Sequence, residues 1–112
     1  MEVYNKLVRD NIDTLINSNG KDEVAVTRIL SDEEYKTELL RKLDEELKEL
    51  KEALLLGNRE DIIEESADLI EVIRALNGDN LELVMQMLED KRKRKGGFVK
   101  KKYLEVVKKT TE

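Results

Sequence analysis

Two long helical patterns meeting at Gly57-Asn58 constrain this chain more than any other feature, and no proline occurs anywhere in its 112 residues. Proline removes a backbone N–H and clashes with the preceding turn, so its absence leaves every stretch open to helix. Ser31, followed three residues later by Glu34, forms a capping box. The pattern predicts a helix from Asp32 to about Leu56, stopped by Gly57, which readily takes the left-handed conformation that ends helices. Asn58 is placed to cap a second helix running to about Leu76, before Asn77-Gly78. With so short a break between them, the two helices turn back on each other as an antiparallel hairpin.

The flanks are shorter. A helical pattern covers about Val8 to Ile16 and ends at Ser18-Asn19-Gly20. Residues 22–30 alternate and are rich in β-branched types, which reads as an extended segment or short strand. Asp79 and Glu82 make a further capping pair for a third long helix to about Lys95, broken by Gly96-Gly97. Residues 98–104 read as a short strand or an irregular arm, and the last residues as frayed. With no repeat or linker, the expectation is one all-α domain over residues 1–112. Its hairpin packs with further helices in a four-helix-bundle-like arrangement, with short extended segments near 22–30 and 98–104.

Composition narrows the chemistry. No Cys and no His remove disulfides, thiolate chemistry, most zinc sites and the usual general base. Any metal must then be held by oxygen, which points to Mg²⁺, Mn²⁺ or Ca²⁺. A net charge of −5 speaks against nucleic acid as the main partner. No apolar run approaches a membrane span and no signal-peptide core begins the chain, so no membrane partner is expected and the cytoplasm is the default location.

The leucines Leu39, Leu40, Leu43, Leu47, Leu50 and Leu54 form one stripe at about 100° per residue, and Glu46 and Glu49 stand on its flank with Lys42 and Ala53. Glu45 and Glu52 point away toward water. In the second helix Ile62, Ile63, Leu69, Ile70 and Ile73 make the expected core face, flanked by a ridge of Asp61, Glu65, Asp68 and Val72. Both helices rise equally per residue, so antiparallel partners lie level when equally far from the turn. Glu49 and Glu65 are each eight residues from Gly57, while Glu46 and Asp68 are each eleven. The four carboxylates thus form two rungs, and helix rotation decides whether they face one another. Facing carboxylates repel unless a cation joins them, and two pairs at i, i+3 spacing suit Mg²⁺. The plain alternative is a solvated charged edge, since 26 of 112 residues are acidic.

The motif "EELKE" at residues 45–49 followed by "ESAD" at 65–68 resembles the EExxE…ExxD signature of the all-α nucleotide pyrophosphohydrolases. That superfamily includes the MazG-like proteins, the phosphoribosyl-ATP pyrophosphohydrolases and the dimeric dUTPases. The opening "YNKLVRDNI" is similar to the "YNKLVRDKIP" start of a small MazG-like branch, and "KRKRKGGF" to its "KRGGF" stretch. The resemblance implies Mg²⁺-dependent hydrolysis of a nucleoside triphosphate to the monophosphate and pyrophosphate. It makes Glu46, Glu49, Glu65 and Asp68 the metal ligands and implies a homodimer or homotetramer. With no His, a carboxylate takes the proton of the attacking water, and Glu49 is the candidate. Two departures stand out: Asp13 replaces a Pro, and Lys95 replaces the Arg before Gly-Gly-Phe, which loses a guanidinium fork.

Four cations are candidate substrate contacts: Lys6 and Arg9 in the opening motif, and Lys91 and Lys95 one turn apart on one helical face. For Arg9 a phosphate contact and a structural ion pair stand even. The run Lys91–Lys95 also fits a helix C-terminus, where cations meet the dipole favourably. Phe98, after the Gly-Gly stop, is expected to dock in the core. Leu81, Val84, Met87 and Leu88 form an apolar face for core or subunit contact. Two rivals to an enzyme are a noncatalytic helical interaction module and a nucleic-acid binder using the basic run.

Overall fold

The structure, a computed structural model, describes residues 1–111. Four helices form in chain order: α1 (Ile12–Asn17), α2 (Asp32–Leu56), α3 (Arg59–Leu76) and α4 (Glu82–Lys95). No strand occurs among the described residues, so the fold is all-α, as expected. Two compact units divide the chain, Met1–Asn80 and Leu81–Glu112.

The first unit is built on the α2–α3 hairpin. Ser31 accepts from the Glu34 N–H, and the Glu34 carboxylate accepts from the Ser31 N–H, which completes the capping box. Gly57 closes α2 at φ 75°, ψ 13°, and the Asn58 side chain caps α3 by accepting from the Asp61 N–H. α1 begins at Ile12, later than the sequence pattern suggests, because the chain makes a turn first, with the Ile12 N–H donating to the Arg9 carbonyl. Residues 22–30 stay irregular. The Ala25 N–H is satisfied by the Asn17 side chain instead of a neighbouring strand, and Arg28 forks onto Glu34 at 2.8 and 3.3 Å. A strand exists only where another backbone pairs with it, and these side chains take that place.

The hairpin corrects the expected core. Leu39, Ala53 and Val72 are the buried apolar residues among those described. Ala53 and Val72 lie on the carboxylate ridges, and Leu39 continues the series through Lys42, Glu46 and Glu49 at helical spacing. The ridges therefore face each other, while Leu40, Leu47, Leu54, Ile63 and Ile70 of the supposed core stripes stay exposed. Small side chains explain this rotation in part, since Ala53 lets the helices approach closely beside the turn.

In the second unit α4 ends where foreseen, at Gly96, but begins differently. Leu81 stands at the N-cap without a side-chain cap bond. Asp79 instead adopts left-handed backbone (φ 62°) and donates its N–H to the Arg74 carbonyl, closing α3. Phe98 does not dock: it is 99% exposed, at the start of a turn in which the Lys101 N–H donates to its carbonyl. Residues 98–104 form no strand. Leu81 and Val84 are half-buried, whereas Met87 and Leu88 are exposed. Of the frayed end expected from the sequence, Glu112 lies outside the described residues.

Candidate metal centre

Facing ridges bring the carboxylates together. One oxygen each from Glu46, Glu49 and Glu65 lie within 4.8 Å of one another. Glu46 and Glu49 come from successive turns of α2, and Glu65 comes from the level turn of α3. Glu46 and Glu65 are half-buried, and each has its Oε2 sealed from solvent with no donor in reach, so a bond to Glu49 forms only when one carboxyl carries a proton. Glu49 is the exposed member. Glu45 points outward and meets Lys42 at 3.5 Å.

The electrostatics follow from this crowding. Hydrogen bonding with Glu49, which requires one of the pair to keep a proton, is the main cause pushing the Glu65 carboxyl up to about 7. Loss of solvent adds to it, followed by the charges of Glu49, Asp68 and Glu46. The Glu46 carboxyl is raised mainly by desolvation, then by the charges of Glu49 and Asp68, with Lys42 pulling the other way. Crowding thus makes the Glu46 and Glu65 carboxyls hold their protons more tightly than isolated ones.

Asp68 stands outside the three-carboxylate set. Its Oδ1 accepts from Arg9 Nη2 at 2.7 Å, an ion pair across 59 residues of sequence. The four predicted ligands are thus neighbours, three in mutual reach and the fourth held by Arg9. Of the two readings open for Arg9, the structure has the ion pair. Lys6 lies over the Tyr4 ring, 5.4 Å from its centroid. Ser66, inside the ExxD motif, donates to the Ile62 carbonyl at 2.7 Å, which leaves its hydroxyl engaged with the helix.

Lys91 and Lys95 occupy the last two turns of α4, both exposed. Lys95 lines a cleft of ≈ 480 Å³ with Arg92, Lys100, Lys101 and Lys102, a cationic setting suited to an anion. The Arg92 guanidinium lies 2.6 Å from where a Cβ on Gly97 would stand, so the second glycine makes room for that cation. Lys42, already set on the ridge with Glu46 by the sequence pattern, also favours that carboxylate's anion. The Arg9–Asp68 pairing escaped sequence reasoning, because local spacing says nothing about a contact so distant in sequence.

The donor set fits a hard divalent cation. All donors are carboxylate oxygens, two are desolvated and unpartnered, and their spacing permits a shared ion. A family model for phosphoribosyl-ATP pyrophosphohydrolase matches residues 8–92, a stretch that includes Arg9, the four carboxylates and Lys91. No curated protein and no solved structure matches the chain.

Proposed function

The chain belongs to the phosphoribosyl-ATP pyrophosphohydrolase family, and on that footing we propose that it hydrolyses a (deoxy)nucleoside triphosphate to the monophosphate and pyrophosphate in the cytoplasm, clearing noncanonical or surplus nucleotides. One observation carries the reading: three carboxylates from two helices converge within 4.8 Å, two with an oxygen denied both water and a partner. Helix-edge acids kept only for solubility have no reason to be sealed in this way.

Glu46, Glu49, Glu65 and Asp68 are the proposed ligands. Those four carboxylates would hold Mg²⁺, or Mn²⁺ in its place, which would supply charge to polarise phosphoryl oxygens and acidify a water molecule. Glu46 and Glu65 are fixed by burial between the helices and serve as holders. Glu49 is open to solvent, so it can meet both the ion and the incoming water, and it takes the proton as the water oxygen attacks phosphorus. The phosphoanhydride bond then breaks and its electron pair leaves with pyrophosphate. Lys6, Arg9, Lys91 and Lys95 are the proposed phosphate contacts that balance the leaving charge.

A panel of canonical and noncanonical nucleoside triphosphates, with phosphoribosyl-ATP as a separate arm, tests this by pyrophosphate release with and without Mg²⁺. The expected result is metal-dependent release with a preference for a noncanonical or deoxy substrate. Glu49→Gln should lower kcat by about 100-fold or more, the usual scale for loss of a general base, and Asp68→Asn should also reduce release. Silence across the whole panel would leave the noncatalytic helical module standing. Turnover of phosphoribosyl-ATP alone would replace the nucleotide-clearing role with the substrate in the family's name.

The second proposal of this reading is self-association as a homodimer or homotetramer. Few apolar side chains are buried within the described residues, and the exposed leucine and isoleucine stripes of the hairpin are the surface a second copy would cover.

A further inference from the structure

Arg9 holds Asp68 beside the three clustered glutamates. Asp68 raises the carboxyls of Glu46 and Glu65 by its charge, so it stands close to them. Yet its Oδ1 accepts from Arg9 at 2.7 Å, and it is absent from the set of oxygens in mutual reach. One carboxylate cannot give its full coordination to a divalent cation while a guanidinium holds one of its oxygens.

Resting on the metal-site reading above, we propose that Arg9 is an exchangeable latch. In the metal-free protein it neutralises Asp68 and ties the N-terminal segment to α3, and when the cation binds, Asp68 passes to the cation and the freed guanidinium turns to the substrate's phosphates. Three observations support an exchange over a fixed strut. Both partners are half-exposed, with side chains 59% and 40% accessible, so water can replace either side of the pair and the contact is weak enough to yield. Arg9 precedes α1 on irregular backbone, where the Ile12 N–H bonded to its carbonyl is the helix-side tether. The charges also exchange consistently: Arg9 offers one positive charge to an acidic cluster, and an arriving dication offers two, which leaves the guanidinium surplus beside an incoming polyphosphate.

The test follows the Arg9 side chain directly. In ¹⁵N-labelled protein, the Arg9 Nη–Hη signal, the one whose Nη2 donates to Asp68 and assigned by its loss in Arg9→Lys, should be shifted and rotationally restrained without metal. Saturating Mg²⁺, with binding established separately by calorimetry, should move it to the free-arginine position. Asp68→Asn should place it there with no metal added. Addition of a nucleoside triphosphate analogue with an imido α–β bridge to the Mg²⁺ form should restrain it again. Calorimetric Mg²⁺ binding with the Arg9 signal unmoved would overturn the latch and leave the metal site intact. An Arg9 signal still restrained in Asp68→Asn would overturn it as well. A signal that stays free when the analogue binds would remove the phosphate half. If neither Mg²⁺ nor Mn²⁺ binds, the metal reading and the latch fall together.

Discussion

A carboxyl that keeps its proton near neutrality leaves a trace in stability. Glu65 rises from an ordinary 4.5 to about 7 on folding, so between those pH values the folded chain binds a proton that the unfolded chain releases. Stability then falls as pH increases through that window, since the state holding more protons loses ground as protons become scarce. The metal-free protein is therefore expected to unfold more easily in urea at pH 7.5 than at pH 5. Saturating Mg²⁺ should offset the loss by replacing the proton with a cation. Glu65→Gln mimics the protonated group; it should flatten the pH dependence and weaken the response to Mg²⁺. An unchanged slope in that variant would place the proton elsewhere. Glu34 works in the opposite sense. The Arg28 fork, then the Ser31 contacts, hold its carboxyl at about 2, below an ordinary 4.5. Its contribution is complete above about 4.5 and is lost as pH falls toward 2. Glu34→Gln should make acid unfolding shallower in that interval, as followed by circular dichroism at 222 nm.

The helices were legible where their signals are local. Ser31, Glu34, Gly57 and Asn58 act on backbone groups within one turn of themselves, so the sequence alone located both ends of α2 and the start of α3. Gly57→Ala should cost about 1 kcal/mol or more, because alanine at φ 75° is strained although open space surrounds the position; a urea midpoint equal to wild type would contradict this. Ser31→Ala should cost about 1 kcal/mol through the lost cap. Signals that depend on the path of the chain were not legible. Asp79 has a capping residue's side chain, yet it stands in left-handed backbone where its own N–H closes α3 at the Arg74 carbonyl, and Leu81 takes the N-cap of α4. Phe98 is the chain's one phenylalanine and should prefer burial, but the turn after Gly97 leaves it in solvent. The site was legible to the level of its rungs, because both helices rise equally on either side of Gly57. Helix rotation was not, and it decided the outcome. A strongly apolar leucine stripe argues for one face, while the small Ala53 and the paired ridges select the other.

At the scale of the whole molecule that rotation leaves a debt of exposed apolar surface. Leu40, Leu47 and Leu54 recur every seven residues along α2, and Ile63 and Ile70 do the same along α3, all exposed. Full burial of a leucine or isoleucine side chain contributes roughly 1.5–3 kcal/mol. These five are 41–57% exposed, so they forgo roughly half of that each, a sum of about 4–8 kcal/mol that reaches the lower range of an ordinary domain's stability. Between the helices Leu39, Ala53 and Val72 are buried, and Leu43, Leu50, Ile62, Leu69 and Ile73 only half-buried. Isolated surface leucines are unremarkable, but a continuous stripe on the helices that carry the acidic cluster calls for a cover. A second copy of the chain supplies one, because a twofold axis sets a patch against its own image and demands only that the patch be self-complementary. The expectation is a concentration-dependent dimer or tetramer by sedimentation. Leu47→Glu combined with Leu54→Glu should shift it to monomer, lower the urea midpoint and reduce pyrophosphate release, although neither residue belongs to the carboxylate set. Wild-type protein that sediments as a monomer at micromolar concentrations, with full stability, would show that the stripe needs no second copy to cover it.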